Sequence, residues 1–453
     1  MQAATAVCRA LLGGTDGMRK AGKAYLPKWP MEDEEDWKAR LACSALFPAF
    51  EDAIDAMVGK PLGEPVVVTN APSSVESCLE DVDLTGRDFD TFARDWMRNG
   101  IADGITWAVV DYPVVPPGST LAQEQALGAR PYVVEVPVSK VVSWKLDHRG
   151  QILEFRYEEC VEVPDGEWGV ASERRIRVLR PGEVQVWRAV RTTGTSEEWQ
   201  LVPELSGPVT LTEVPVACFA PGRTGHFTAK PPLQNLAWLN VQHWQSSSDQ
   251  RNILHVSRVP ILYASGFNEA DTLVVGAKAL VRGPQGTELK YVEHTGAAIG
   301  AGRQDLLDLQ EQMRLVAGKV LTRQAGGDKS ATEAGLEARD GGSKLRAWCW
   351  TFQDALENIL RLMALWLGEK QTGSVALNMD WEDMEDPTMF ATVLQARTAG
   401  ELSQTSFLNY AKRVGAIAPD RSIEEEVADL EAEGPVLGKA SPMDLTRTPT
   451  PSP

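Results

Sequence analysis

Four basic side chains cluster between residues 314 and 329 of a chain that is acidic overall. They are Arg314, Lys319, Arg323 and Lys329, and one acid, Asp328, lies among them. Clustered Lys and Arg side chains bind nucleic-acid phosphate through their charge, so transient phosphate contact is one interpretation. The other is a solvated helix end, where the helix dipole stabilises cations near the C-terminus. The residues alone leave both interpretations open.

Two glycine-rich stretches resemble phosphate-binding loops only in part. A P-loop needs G-x-x-x-x-G-K-[ST] between a strand and a helix, so that backbone N–H groups surround the phosphates. In GGDKS (326–330) Asp328 separates the glycine from the lysine. In GAAIGAG (296–302) the next residue is Arg303, where the motif requires lysine. We therefore expect no nucleotide site, and flexibility is the predicted reason for both stretches.

No set of side chains is arranged for catalysis, and we expect no enzyme, cofactor or metal. The five histidines lack an H-x-x-x-H spacing, and the sequence contains no G-x-S-x-G nucleophile pattern. An acidic cluster comprises Asp380, Glu382, Asp383, Glu385 and Asp386. It lacks the turn glycine of an EF-hand, which favours a solvated turn over a Ca²⁺ or Mg²⁺ site. His243 and His255 lie in a predicted helix and are expected to hydrogen-bond to a neighbouring helix.

The composition restricts the class of partner. The chain has 453 residues, a formal net charge of −18 and a pI near 4.9, which argues against a repressor or a sequence reader. DNA that passes through a channel is not excluded, because a conduit must not hold phosphate. Six scattered cysteines without a C-x-x-C pair predict reduced thiols. We find no signal peptide and no apolar run near the ~18 residues of a membrane span, which predicts assembly in a cytoplasm.

The N-terminal half predicts a unit of mixed helices and strands. Apolar residues at helical spacing predict one helix over Glu34–Val58 and another over Asp88–Ala102. A buried strand is expected at Ile105–Asp111. From about Arg130 to Phe219 the apolar period changes to two, and Gly, Pro and Asp interrupt the short runs. That pattern predicts antiparallel strands continuous with the N-terminal helices as one α+β unit.

One long helix is expected between two proline boundaries. The segment opens with Pro231 and Pro232, closes with Pro260, and contains no Gly or Pro between them, so the helix should run to about Ser257. Its ends are apolar, but Gln245–Asn252 carries no large apolar residue. A polar middle is poorly suited to the centre of a single-chain core. We expect it to face other copies of the chain or a channel, not a private core.

A second helix is expected to return after a small β-rich segment. Residues 259–300 are β-rich and interrupted by glycine, and the returning helix is predicted over Asp305–Leu321. A flexible loop, 324–330, should follow.

The C-terminal part begins with the clearest amphipathic helix, over Ala331–Leu367. Gly341 and Gly342 lie inside it and predict a kink or break, because two interior glycines cost about 1–2 kcal/mol relative to alanine. A strand and an acidic helical region to about Glu433 follow. The Pro/Ser/Thr-rich tail should be disordered.

Several stretches, in order along the chain, resemble the portal proteins of tailed bacteriophages, in the subgroup with an N-terminal YLPK motif. They are Tyr25-Leu26-Pro27-Lys28, the helix through Arg40 to Gly59, Gly100–Pro113, Arg130-Pro131-Tyr132, Ser143-Trp144, Asn235–Asn252 with Leu254-His255, Pro260 and Gly266, Leu309–Gly318, the helix containing Ser330–Glu333, Gly400–Phe407 and Ile423–Glu426. No single motif is decisive. The ordered set carries the resemblance, which covers nearly everything but the tail.

The resemblance implies a portal-type α+β fold. The parts are a wing of helices and antiparallel strands (1–229), a first stem helix (230–258), a β-rich clip (259–300), a second stem helix (301–321), a tunnel loop (322–330), a long kinked wing helix (331–370), a wing strand (371–386), crown helices (387–435) and a disordered tail (436–453).

The implied function is a ring of about twelve subunits at one capsid vertex. It would be the channel for DNA packaging by the terminase and for DNA ejection, and the docking platform for head-tail adaptors. Implied partners are other copies of the chain, the terminase large subunit, the head-tail adaptor, the major capsid and scaffolding proteins, and double-stranded DNA in transit without sequence specificity. No membrane partner is implied. The location would be the virion, after assembly in the host cytoplasm.

The resemblance also implies two sets of site residues. Contacts with DNA in the tunnel would come from Lys319, Arg323, Gln324 and Lys329. Contacts of the stem with neighbouring copies or with the channel would come from Gln245, Ser248, Asp249, Arg251 and Asn252. Two alternatives stay open: another virion structural or minor head protein without a DNA channel, and a phage-encoded enzyme.

Overall fold

The fold class is α+β, as expected. The computed structural model describes residues 1–115, 120, 123, 128–191, 197–257, 261–266, 286, 288–292, 297–321, 331–379, 387–413, 416–418 and 421–433. The chain divides into two compact units, Met1–Leu377 and Asn378–Pro453.

Six helices occupy the N-terminal region. They are α1 (Gln2–Leu12), α2 (Gly14–Ala21), α3 (Glu34–Cys43), α4 (Ala49–Gly59), α5 (Ser73–Leu79) and α6 (Phe89–Asp103). The single helix predicted over Glu34–Val58 is wrong, because Pro48 separates α3 from α4. Proline lacks the N–H of an interior helical residue and disfavours helical backbone in the residue before it.

The helix predicted over Asp88–Ala102 is confirmed as α6, and its ends follow from local chemistry. Asp88 is the N-cap, and its side chain accepts a hydrogen bond from the backbone N–H of Thr91 at 2.7 Å. Gly104 ends the helix with φ 81°, a left-handed conformation that glycine adopts without a steric penalty.

Two antiparallel sheets contain most of the strands of this unit. The smaller has the order β10 (Val216–Phe219), β2 (Thr106–Asp111), β3 (Tyr132–Val136). The larger has the order β4 (Val141–Leu146), β5 (Ile152–Asp165), β6 (Gly169–Arg180), β7 (Glu183–Arg191), β8 (Glu197–Leu201), with β9 (Gly207–Pro208) also paired to β7. A buried cluster joins the two sheets, and Trp107, Phe155 and Tyr157 are its aromatic members. The antiparallel region predicted for Arg130–Phe219 is thus confirmed.

Three long helices follow, and two short strands lie between the first and the second. They are α7 (Gln234–Ser257), α8 (Ala297–Leu321) and α9 (Ala331–Leu367). The remaining strands are β1 (Val67–Thr69), β11 (Arg223–Gly225), β12 (Thr228–Ala229), β13 (Ile261–Ser265), β14 (Glu288–Val292) and β15 (Ser374–Ala376). β13 pairs with β14 and β15 with β1, both antiparallel. The long helix predicted from the proline boundaries is confirmed as α7.

Helix α9 is continuous through Gly341 and Gly342, so a break at the two glycines is wrong, whereas a kink there stays a prediction. Glycine weakens a helix without removing its hydrogen-bond donor. The amphipathic stripe of the helix is confirmed, since Leu345, Cys349, Phe352, Leu356, Ile359 and Met363 are all buried. The ring of Phe352 lies 5.4 Å from that of Trp96 on α6 and 4.7 Å from that of Phe219 on β10. These contacts join α9 to the N-terminal helices and the smaller sheet.

The second unit contains the predicted C-terminal helices. They are α10 (Pro387–Thr398), α11 (Gln404–Arg413) and α12 (Ile423–Glu433). A capping box starts α12: Ser422 Oγ accepts from the N–H of Glu425 at 3.1 Å, and Glu425 accepts from the N–H of Ser422 at 2.9 Å. The ring of Phe390 lies 6.2 Å from that of Phe407 and packs α10 on α11.

Candidate functional site

The first half of α7 is anchored in the protein body. Leu233, Leu236, Val241 and Trp244 are buried, and so is Asn240, whose exposed fraction is 0%. The amide of Asn240 accepts from the N–H of Phe50 at 3.0 Å and donates to the carbonyl of Phe47 at 2.9 Å. A buried amide is stable only when its donors and acceptors have partners. Asn240 therefore fixes α7 to the start of α4.

The second half of α7 emerges from the body together with the first half of α8. Every described side chain from residue 251 to 257 is exposed or half-exposed. On α8 the same holds for the described side chains from residue 298 to 308, and Leu309 is the first buried one. The two helices are antiparallel, because contacts move from Gln310 back to Ile299 as α7 advances from His243 to Gln250. The ribbon β13–β14 lies in the connection between them.

Polar side chains join α7 to α8. Ser246 donates to the carboxylate of Asp305, and Gln250 donates to the carbonyl of Ile299 at 2.8 Å. The nitrogen Nε2 of His243 lies 3.1 Å from Nε2 of Gln310. The expectation that His243 hydrogen-bonds between helices is confirmed. The corresponding expectation for His255 stays a prediction.

The glycine-rich stretch GAAIGAG has a different role from the one predicted. Helix α8 begins at Ala297 rather than at residue 301 or 305, so most of this stretch is helical. A Cβ atom on Gly302 would lie 2.1 Å from Oε1 of Gln250. The absence of a side chain at residue 302 therefore allows the two helices to approach closely. The residues 297–300 that were assigned to the clip belong to this helix.

The N-terminal segment forms a second polar contact with α7, centred on Arg40. The guanidinium of Arg40 makes two hydrogen bonds to Glu32, at 2.7 and 2.8 Å, and one to the carbonyl of Pro27 at 2.9 Å. Both charged side chains are only 4% exposed. The ring of Trp29 stacks on the guanidinium, 4.0 Å from its central carbon. The hydrogen bonds from Arg40 lower the pKa of Glu32 below its usual value, so the pair is ionic.

This cluster, which we call the Arg40 clamp (Arg40, Glu32, Pro27 and Trp29), reaches the polar middle of α7. Arg40 Nη1 lies 3.4 Å from Oγ of Ser248 and 3.6 Å from Oδ1 of Asp249. The side chain of Gln245 donates to the carbonyl of Tyr25 at 2.9 Å. The carbonyls of the YLPK motif therefore accept hydrogen bonds from α7 and from Arg40.

The expectation that the polar middle faces other copies or a channel, and not a private core, needs correction for part of the segment. Ser248 and Gln250 are buried within the single chain, by the Arg40 clamp and by α8 respectively. Gln245 and Asp249 also contact the N-terminal segment, whereas Arg251 is exposed and Asn252 half-exposed. An inter-subunit or channel role for the five stem residues stays a prediction.

Sequence reasoning missed the Arg40 clamp. Arg40 lies one helical turn after the buried Trp37, on the face of α3 that turns inward, and a charged residue at such a position signals a buried ion pair. Its contact with Ser248 joins residues 208 positions apart, which no local pattern reveals.

The structure describes the side chain of none of the four predicted tunnel residues, so a DNA contact by them stays a prediction. Arg323, Gln324 and Lys329 lie outside the described residues, and of Lys319 only the backbone, in α8, is described. The acidic residues 380–386 also lie outside. Among the residues that the structure does describe, no three His, Cys, Asp or Glu side chains are grouped closely enough to hold a metal ion. No helix in the described part of the chain has the length and apolarity needed to cross a membrane.

The polar helix interface leads to a pH prediction. Burial lowers the pKa of His243 below its usual value of 6.5, and the opposing effect of Asp305 is smaller. Below pH 6.5 the unfolded chain therefore binds a proton at His243 more readily than the folded chain does. We expect the free energy of unfolding to fall as the pH drops below 6.5, by at most about 1.4 kcal/mol per pH unit from this group. Above pH 6.5 the contribution of neutral His243 to the free energy of unfolding is fully present.

Urea unfolding of the wild type and of His243→Gln between pH 8 and 5 measures this contribution. The variant keeps the other four histidines, so the difference between the two curves isolates His243. We expect a shallower loss of stability in the variant. Parallel curves would show that His243 does not contribute.

The comparisons with known proteins cover the chain unevenly. The model of a domain of unknown function, DUF4055, matches residues 232–367, from the start of α7 to the end of α9. This is under a third of the chain. No curated protein matches.

Solved structures resemble the chain at a low level. A chain of the virion of a native gene transfer agent particle has a TM-score of 0.39 and 11% identity, and the match covers 87% of this chain and 97% of that one. A neck chain of the empty particle, computed with C6 symmetry, has a TM-score of 0.37 and 12% identity, covering 82% and 90%. A neck chain of the native particle, computed with C12 symmetry, has a TM-score of 0.37 and 12% identity, covering 84% and 89%. Similarities of this size assign neither a family nor a function to the chain.

Proposed function

We propose that this protein is the portal of a tailed bacteriophage. About twelve copies would form a ring at one capsid vertex, as expected for a closed cyclic oligomer. The terminase would package DNA through the central channel, the same channel would serve ejection, and head-tail adaptors would dock on the ring. The protein would thus be a structural component of the virion.

The helix pair α7–α8 is the observation that carries this proposal. Asn240 and the Arg40 clamp anchor the pair in the body. In its distal half, every described side chain is exposed or half-exposed. A ribbon of two strands lies between the helices. The order helix, β ribbon, helix is the one that the portal resemblance implies for stem and clip. An exposed helix pair of this kind is suited to line a channel in an assembly.

The charges on the distal helix pair suit a conduit. The exposed residues include Arg251 and Arg303 but also Asp305 and Asp308. Mixed signs give no continuous basic track, and binding to DNA phosphate strengthens with each added Lys or Arg contact. A wall of such helices would let DNA pass without holding it. Transient contacts would come from Lys319, Arg323, Gln324 and Lys329 at and beyond the end of α8.

Mass photometry and negative-stain microscopy of the purified full-length protein test the proposal. We expect particles of about twelve times the mass of the 49.5 kDa chain, with a central hole in top views. Assemblies without a channel would favour a different virion structural protein. A stable monomer across the micromolar range would contradict the ring.

A further inference from the structure

An open groove lies between the N-terminal segment and the distal half of α7. It encloses about 1010 Å³ and is lined by residues of the 29–32 loop and α3 on one side and by residues 248–255 of α7 on the other. Met31 is 96% exposed at its edge, and Trp29 and Leu254 add apolar surface. We call it the α3–α7 groove. Apolar side chains that lie together on an exposed surface are typical of an interaction site.

Helix α8 carries an exposed ridge of complementary character. Leu307 and Leu315 are 47% and 39% exposed and lie eight residues apart, which places them on one face about 12 Å apart along the helix. Arg303 and Asp308 are exposed beside them. We call this face the α8 ridge (Arg303, Leu307, Asp308 and Leu315).

The groove and the ridge lie on opposite sides of the helix pair. Helix α7 turns His243, Ser246 and Gln250 toward α8. It turns Gln245 and Ser248, on the other side of the helix, toward the N-terminal segment. On α8, the buried residues Leu309 and Met313 face inward, and the ridge faces away from them. The two surfaces therefore cannot meet within one copy.

Unpaired charges of opposite sign occur on the two surfaces. Arg251 and Asp36 line the groove, and neither makes an ion pair with any described residue. Arg303 and Asp308 on the ridge likewise lack an ion pair in the described part of the chain, whereas Glu311 is paired with Arg314 at 3.1 Å. Each surface thus carries one cation and one anion that have no ion-pair partner among the described residues, although Asp308 accepts a hydrogen bond from Gln304 at 2.7 Å.

We propose that the α8 ridge of one copy docks into the α3–α7 groove of the next, with Arg251 facing Asp308 across the interface. This rests on the proposed ring and names the surfaces that build it. Two different surfaces on opposite sides of a subunit make a head-to-tail contact, which closes into a ring when the rotation per copy allows. The Arg40 clamp then has a role in assembly, because it holds Trp29 and Met31 at the edge of the groove.

Cross-linking tests this contact. Cys43 and Cys160, both exposed, are first replaced by serine. In this background, Arg251→Cys and Asp308→Cys are combined and treated with a short bis-maleimide. We expect a ladder of cross-linked species up to the full ring, and only background from each single variant. A control pairs Arg251→Cys with Ser77→Cys, which is exposed on α5, and should give no ladder.

A charge exchange gives a second readout that does not need cysteine. Arg251→Asp and Asp308→Arg should each raise the protein concentration at half-assembly by about tenfold, and the double variant should recover most of it. Wild-type rings without a ladder, or a double variant as weak as the singles, would overturn the groove–ridge contact and leave the ring standing. A wild type that forms no ring would refute the proposed function, and the contact with it.

Discussion

Arg40→Met should lower the free energy of unfolding by about 3–5 kcal/mol, because it leaves the buried carboxylate of Glu32 without a cation. The two side chains are each 4% exposed while the pair is intact, so the guanidinium takes the place of water around the carboxylate. The carbonyl of Pro27 and the hydroxyl of Ser248 lose a donor as well. The midpoint of urea unfolding, followed by tryptophan fluorescence, reports this loss.

Two further variants decide whether the buried charge is the cause. The double variant Arg40→Met with Glu32→Leu should recover most of the stability, because it removes both charges together. Arg98→Met is the matched control, since the partners of Arg98, Glu51 and Asp55, are 34% and 54% exposed. It should cost no more than about 1 kcal/mol. Equal losses in Arg40→Met and Arg98→Met would contradict the role given to the clamp.

Asn240→Leu should cost about 2–4 kcal/mol, since it leaves two buried backbone groups without partners. Leucine keeps the branching and the heavy-atom count of asparagine but carries no polar atom, so the N–H of Phe50 loses its acceptor and the carbonyl of Phe47 its donor. Because these groups lie at the start of α4, the expected consequence is a weaker anchor for α7. Thermal unfolding measures the loss.

A control for this change uses an amide on the distal half of the same helix. Asn252 is half-exposed, so Asn252→Leu should change the unfolding midpoint little, as surface substitutions usually do. A midpoint for Asn240→Leu that equals the Asn252→Leu value would show that the buried amide does not fix α7.

The helices bounded by strong local signals could be predicted from the sequence. Prolines bound α7, Asp88 and Gly104 bound α6, and the apolar stripe from Leu345 to Met363 marks α9 as a core helix. Each of these signals acts within a few residues, through capping, backbone restriction or periodicity. Pro48 is an equally local signal that separates α3 from α4, but the apolar spacing continues across it and predicted a single helix.

The candidate site was harder to predict because its contacts are distant in sequence. Gln245, Ser248 and Asp249 were singled out by their polarity, but their partners Tyr25 and Arg40 lie about 200 residues earlier. The sequence of a polar stretch does not distinguish a helix face exposed to water from one that contacts another copy or a buried arginine. Gly302 was also hard to interpret from the sequence. A glycine-rich stretch indicates a flexible loop by its composition, but here Gly302 allows two helices to approach closely.

A single-particle reconstruction of the purified full-length protein tests the central claim most directly. We predict a closed ring of about twelve copies whose channel is walled by α7 and α8, with the ridge residue Leu307 of each copy against Met31 of the next. A closed ring whose channel is lined by other elements, with α7 and α8 on the outside, would contradict the claim. So would a particle without a channel.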